Sequence, residues 1–135
     1  MSGASPDCGR RAQVAGAALM ALATLIGALA AHALKSRLPP ERFEVLQTAV
    51  LYQFLHALGL LFIGAQAVRT AARGLCLASR LLFAGVLLFS GSLYLLLLGA
   101  PRLIGVLTPL GGLCLIAGWS VAALSLWRAS RRDAA

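Results

Sequence analysis

Polar side chains are almost absent from four stretches of the chain, residues 12–34, 43–68, 75–98 and 104–127, and cluster in the short segments between them. Each stretch exceeds the roughly 18–20 residues that a helix needs to cross about 30 Å of hydrocarbon. A chain of 135 residues cannot hide four helices that are apolar all round inside a soluble core, because no polar layer is left to cover them. Arg80 is the one basic residue within a stretch. The connections, 35–42, 69–74 and 99–103, are short enough to make successive helices antiparallel neighbours. The pattern predicts an all-α integral membrane protein, an antiparallel up-down-up-down bundle of four transmembrane helices. Residues 1–11 read as a mobile tail and 128–135 as a second tail, both on the cytoplasmic side, around a single domain spanning 12–127.

Punctuation supports these boundaries. Pro39 cannot continue the first helix, whereas Pro40 suits the first turn of the second, with Glu41 and Glu44 near its positive end. Gly99, Ala100 and Pro101 stop the third span, and Pro109 lies about one turn into the fourth. Small residues recur every seven positions: Gly16, Ala23 and Ala30; Ala78, Gly85, Ser92 and Gly99; Gly111, Gly118 and Ser125. In lipid such positions supply close helix packing, and a seven-residue period suits a left-handed crossing. No convincing inverted repeat relates the two halves, which weakens an analogy to transporters.

Composition agrees with a membrane class, at 60% hydrophobic and 12% charged residues and a mean hydropathy of +0.87. The net charge of +8 does not mark a nucleic-acid partner, because the basic residues lie in tails and loops. Arg10, Arg11, Arg69, Arg73, Arg80, Arg128, Arg131 and Arg132 fall on one side, against Lys35, Arg37, Arg42 and Arg102 on the other. The richer side, with both termini, is expected in the cytoplasm of an inner membrane. Arg10, Arg11 and the Ala-His-Ala at 31–33 imitate a cleavable leader, but the apolar run is long for one and its removal would leave three spans. The three cysteines follow no metal or disulfide spacing. Cys8 and Cys76, on the expected cytoplasmic side, read as unpaired thiols, as does Cys114 within the fourth span.

Polar residues inside spans are costly and therefore informative. Glu44, Thr48, Tyr52 and His56 recur every four residues and form a ridge on the second helix, with Gln53 about a quarter turn away. His56 lies about 18 Å deeper than Glu44 at 1.5 Å per residue, near the bilayer centre. It is either a proton carrier or ligand group, or a neutral core histidine bonded to a neighbouring span. His32 and Glu44 are expected level with each other near the outer surface. Such a pair could be a salt bridge or hydrogen bond, a weak metal site or half of an acid–base pair. Two histidines at different depths do not make a metal centre. Ser90, Ser92 and Tyr94 of the third span and Thr108 of the fourth complete a polar outer half. Trp127 reads as an interface anchor and Trp119 as packing. Tyr52, His56, Ser92 and Gly111 are expected to face the interior.

Four motifs, GALAAHALK at 27–35, TAVLYQFLHA at 48–57, LFSGSLY at 88–94 and TPLGG at 108–112, resemble the family catalogued as domain of unknown function 423. That family comprises small inner-membrane proteins related to transmembrane protein 256. The resemblance implies a four-span membrane protein and brings no activity, ligand or catalytic residue with it.

The function expected is non-enzymatic: a structural, accessory or assembly component of a membrane complex, with no cofactor. Its partners would be the lipid bilayer and other membrane-protein subunits or further copies of itself. The alternative is a small oligomeric transporter or channel using the polar outer-half seam around His56. A third reading, a lipid-directed enzyme at the outer leaflet, rests on the His32–Glu44 pair.

Overall fold

The computed structural model describes residues 6–70 and 72–133. Four helices long and apolar enough to cross a membrane account for nearly all of them: α1 (Pro6–Leu29), α2 (Pro40–Thr70), α3 (Arg73–Leu97) and α4 (Leu107–Asp133). α1 opens six residues earlier than expected, so 6–11 is helical; residues 1–5 of the expected tail, and 134–135 of the other, lie outside the described residues.

The ends follow local chemistry. Pro39 accepts the first bond of α2 from the Phe43 N–H at 3.0 Å, which places Pro40 where its missing N–H leaves no bond unmade. α3 ends in a Schellman motif. Gly99 has φ of +93°, the Ala100 N–H donates to the Leu95 carbonyl at 3.0 Å, and the Gly99 N–H donates to Leu96 at 3.2 Å. A 3₁₀ turn (Arg102–Val106) leads into α4, so Pro109 falls in the first turn, where its ring breaks no ladder. The end of α1 departs from expectation: it widens into a π-helical turn (Ala30–Leu34), closed by the Lys35 N–H on the Ala30 carbonyl at 3.0 Å.

Small residues set the packing. Gly9, Gly16 and Gly27 of α1 sit against Gly64, Ala57 and Val50 of α2, a descending register that makes the two helices antiparallel. Gly74, Gly85 and Gly111 pair α3 with α4 in the same sense, against Ser125, Leu115 and Phe89. A Cβ built on Gly16 would lie 2.8 Å from the Ala57 carbonyl, so close backbone approach defines these seams. α2 packs against α3 through the centre, and α1 makes a lesser contact with α3. Among the described residues α1 and α4 share no comparable contact, so the helices form a chain of pairs with α2 and α3 inside. The core gathers Leu60, Ile63, Leu75 and Leu82, all fully buried.

Cys8 and Cys76, expected to be unpaired, are joined by a disulfide with the Cα atoms 5.9 Å apart; Cys114 is free. Their sequence separation of 68 carried no signal, but α1 and α3 begin at the same end of the molecule and touch there.

Candidate functional site

The buried stripe of α2 runs through Leu46, Ala49, Gln53, His56, Leu60, Ile63 and Ala67, alternating steps of three and four. Gln53 therefore points into the middle of the molecule, and it is 2% exposed. Its Nε2 donates to the Leu19 carbonyl of α1 at 2.9 Å. Its Oε1 accepts from the Tyr94 hydroxyl of α3 at 2.8 Å. One amide thus ties three helices together. The Leu19 carbonyl already accepts within α1 and offers its second lone pair. In hydrocarbon the alternative for the Gln53 amide and the Tyr94 hydroxyl is to go unpaired, at about 1–3 kcal/mol.

His56 lies one turn deeper and is also buried. Its Nδ1 is 2.6 Å from the Tyr52 carbonyl of the same helix. A carbonyl only accepts, so Nδ1 carries the hydrogen and Nε2 is an acceptor in the neutral ring. Nε2 has no hydrogen-bond partner among the described residues. The ring lines a lateral groove of about 440 Å³ between α2, α3 and α4, walled by Tyr52, Phe89 and Trp119. Tyr52 stacks on Phe89 with centroids 4.4 Å apart, and Trp119 tilts over His56 at 6.3 Å. Gly59 makes room for Trp119, whose ring would meet a Cβ there at 2.7 Å.

The remaining polar residues divide in two groups. The Ser92 and Thr108 hydroxyls meet at 2.6 Å and join α3 to α4 beside the buried Gly111. Ser90 is 1% exposed and its Oγ has no hydrogen-bond partner among the described residues. Glu44 and Thr48 face outward, along with Tyr52, which was expected inside and is 38% exposed. A ridge of every fourth residue drifts about 40° per step, so Glu44, Thr48 and Tyr52 approach the core from outside and only His56 enters it. Glu44 and Thr48 instead line a groove of about 740 Å³ between the end of α1 and the start of α2.

The outer-face pair is not formed. His32 is exposed within the π-helical turn, and no hydrogen bond or ion pair joins it to Glu44 among the described residues. The expectation took the 35–42 turn to place them level, and the π-helical turn at Ala30–Leu34 changes how α1 enters that turn. The outer-leaflet enzyme reading loses its support with that pair. Arg42, two residues before Glu44, donates to the Leu97 carbonyl and covers an end group of α3. Among the described residues no three His, Cys, Asp or Glu side chains gather as a metal site. At the opposite end Arg131 lies 4.7 Å over the Trp127 ring, suiting an interfacial position.

Comparison with known proteins places these features in a family. The pattern described as "Protein of unknown function (DUF423)" matches residues 26–112, from the end of α1 to the first turns of α4. A UPF0382 membrane protein of Staphylococcus haemolyticus is 43% identical over 102 residues, covering 76% of this chain and 83% of that protein. The UPF0382 membrane protein YwdK of Bacillus subtilis is 39% identical over 107 residues, 78% and 87% of the two chains. The UPF0382 inner membrane protein YgdD of Escherichia coli K12 is 34% identical over 107 residues, 79% and 82% of the two chains. No solved structure matches the chain.

Proposed function

The chain belongs to the DUF423 family of multi-pass membrane proteins, and from that premise we propose that it serves as a non-enzymatic structural or accessory component of a membrane assembly. The observation that carries this reading is the engagement of Gln53, whose buried amide donates one N–H to Leu19 and accepts from Tyr94. The central polar group of the seam is buried and ties helices together. A partner then meets the protein sideways, within the bilayer. The exposed stripe Leu51, Leu55, Leu58 and Phe62 on central α2 has the four-three-four spacing of a helix-pairing face. Its occupant is another membrane subunit or a second copy of this chain.

A photo-reactive side chain placed at Leu55 tests this in native membranes. It is expected to give a discrete protein adduct, absent from the same group at Leu113, which is exposed on α4. Adducts from Leu113 alone would move the partner surface to α4, and lipid adducts alone at both positions would overturn the accessory reading.

We further propose that both termini face the cytoplasm, on the eight-to-four bias of basic residues. The Cys8–Cys76 bond lies at that end, where thiols are kept reduced. In growing cells the pair is then a dithiol that a permeant alkylating reagent labels and an impermeant one does not. Labelling by the impermeant reagent, or resistance to both until a reductant is added, would reverse the orientation.

The alternative, a small oligomeric transporter or channel, draws on one observation: His56 lines a groove open to the side, with Nε2 unengaged.

A further inference from the structure

Arg80 is the residue that neither the seam nor the helix contacts explain. It stands about two turns into α3, exposed, with apolar Leu77, Phe83 and Ala84 beside it on its own helix. A guanidinium at that depth requires an anion or a route to water. Arg11 of α1 lines the same cleft, about 350 Å³ in volume, where α1 and α3 diverge below the Cys8–Cys76 bond. The juxtaposition of Cys8 and Cys76, with their Cα atoms 5.9 Å apart, marks the register of the two helices whether the pair is oxidised or reduced. Both run inward from it, so Arg11, three residues past Cys8, and Arg80, four past Cys76, stand about 5 and 6 Å below the bond, at similar depth. Neither guanidinium has a partner among the described residues. Asp7 also lines the rim and has an interaction of its own. The two guanidiniums thus face one cleft.

Beneath the arginines the walls turn apolar. Ala12 and Ala15 form one side, Phe83 the other, and the fully buried Leu60 of α2 the floor. We propose that this cleft holds one anionic phospholipid, its phosphodiester between Arg11 and Arg80 and an acyl chain along Ala15 and Phe83. A phosphodiester is anionic, and guanidiniums bind its oxygens in pairs. The apolar lower half fits a chain and offers nothing to a free ion. The occupant is thus a lipid, and the site lies in the leaflet on the side of the termini. Arg11 and Cys8 lie outside the stretch matched by the family pattern, so this is a property of this chain rather than one read from its relatives.

The test is native mass spectrometry of the full-length protein, purified in mild detergent and offered phosphatidylglycerol and phosphatidylcholine in equal amounts. The protein should retain one phosphatidylglycerol with a preference of roughly tenfold or more. Arg11→Gln with Arg80→Gln should abolish the preference, whereas Arg131→Gln, the same kind of change away from the cleft, should keep it. Ala15→Trp should displace the lipid by filling the apolar half with both arginines intact, which reads the site independently of charge. Millimolar inorganic phosphate should not compete. Equal retention of the two lipids, a preference that survives the double variant or Ala15→Trp, or displacement by inorganic phosphate would each overturn the proposal. None of these outcomes depends on a protein partner, so the accessory reading stands or falls separately.

Discussion

At Gln53 a single amide makes two inter-helix bonds, and its effect on stability can be isolated. Replacing it with Leu leaves the Tyr94 hydroxyl without its acceptor and removes the tie to the Leu19 carbonyl. We expect Gln53→Leu to cost about 1–2 kcal/mol, since polar bonds between membrane helices are modest individually. Tyr94→Phe removes the hydroxyl alone. A double-mutant cycle on unfolding in detergent should show the pair coupled by roughly 0.5–1.5 kcal/mol. Additive losses would mean that Tyr94 and Gln53 do not act together. Residue chemistry was only partly legible in the sequence. The rarity of polar groups in the spans picked out Gln53, His56, Ser92, Tyr94 and Thr108, all of which lie where helices meet. Glu44, Thr48 and Tyr52 were grouped with them by a spacing of four, and that spacing walks around the helix. The alternating three-and-four stripe from Leu46 to Ala67 was the better guide, and it contains Gln53.

Between elements, the seven-residue recurrence of small residues carries the packing. Gly16, Ala23 and Ala30, then Ala78, Gly85 and Ser92, then Gly111 and Gly118 are all buried where one helix lies on its neighbour. This was readable in advance because close approach in lipid demands a missing side chain at each contact. Two glycines on the outer half of the α3–α4 pair offer a contrast. A Cβ on Gly111 would fall on the backbone of Phe89, whereas one on Gly91 would meet nothing within 4 Å. Gly111→Ala should therefore destabilise by about 1–3 kcal/mol through overpacking. Gly91→Ala should be neutral or gain up to about 1 kcal/mol from helix propensity. Thermal unfolding of both variants in detergent checks the pair, and equal effects would count against the seam. The π-helical turn at Ala30–Leu34 was not legible, because its residues suit an ordinary helix equally well. His32 lies exposed within it, and the expected pair with Glu44 is not formed among the described residues.

Across the whole molecule, four apolar spans and their order were plain from hydropathy alone, whereas their mutual arrangement was not. Short connections fix which helices are neighbours, but they do not say that α1 would leave α4 and touch α3. From that contact come the Cys8–Cys76 bond and the cleft holding Arg11 and Arg80, neither of which has a sequence motif. The arrangement also opens the lateral groove in which His56 sits, and there the accessory and transport readings divide. Under the first, His56 is a neutral ring bonded to its own helix, and the seam is a set of ties. Under the second, it passes protons or a solute between the groove and water. Proton influx after a pH jump, followed with an entrapped fluorescent indicator in liposomes holding the purified protein, separates them. We predict a rate equal to that of protein-free liposomes, unchanged in His56→Leu. A protein-dependent influx that His56→Leu removes, from a variant that still folds, would contradict the account.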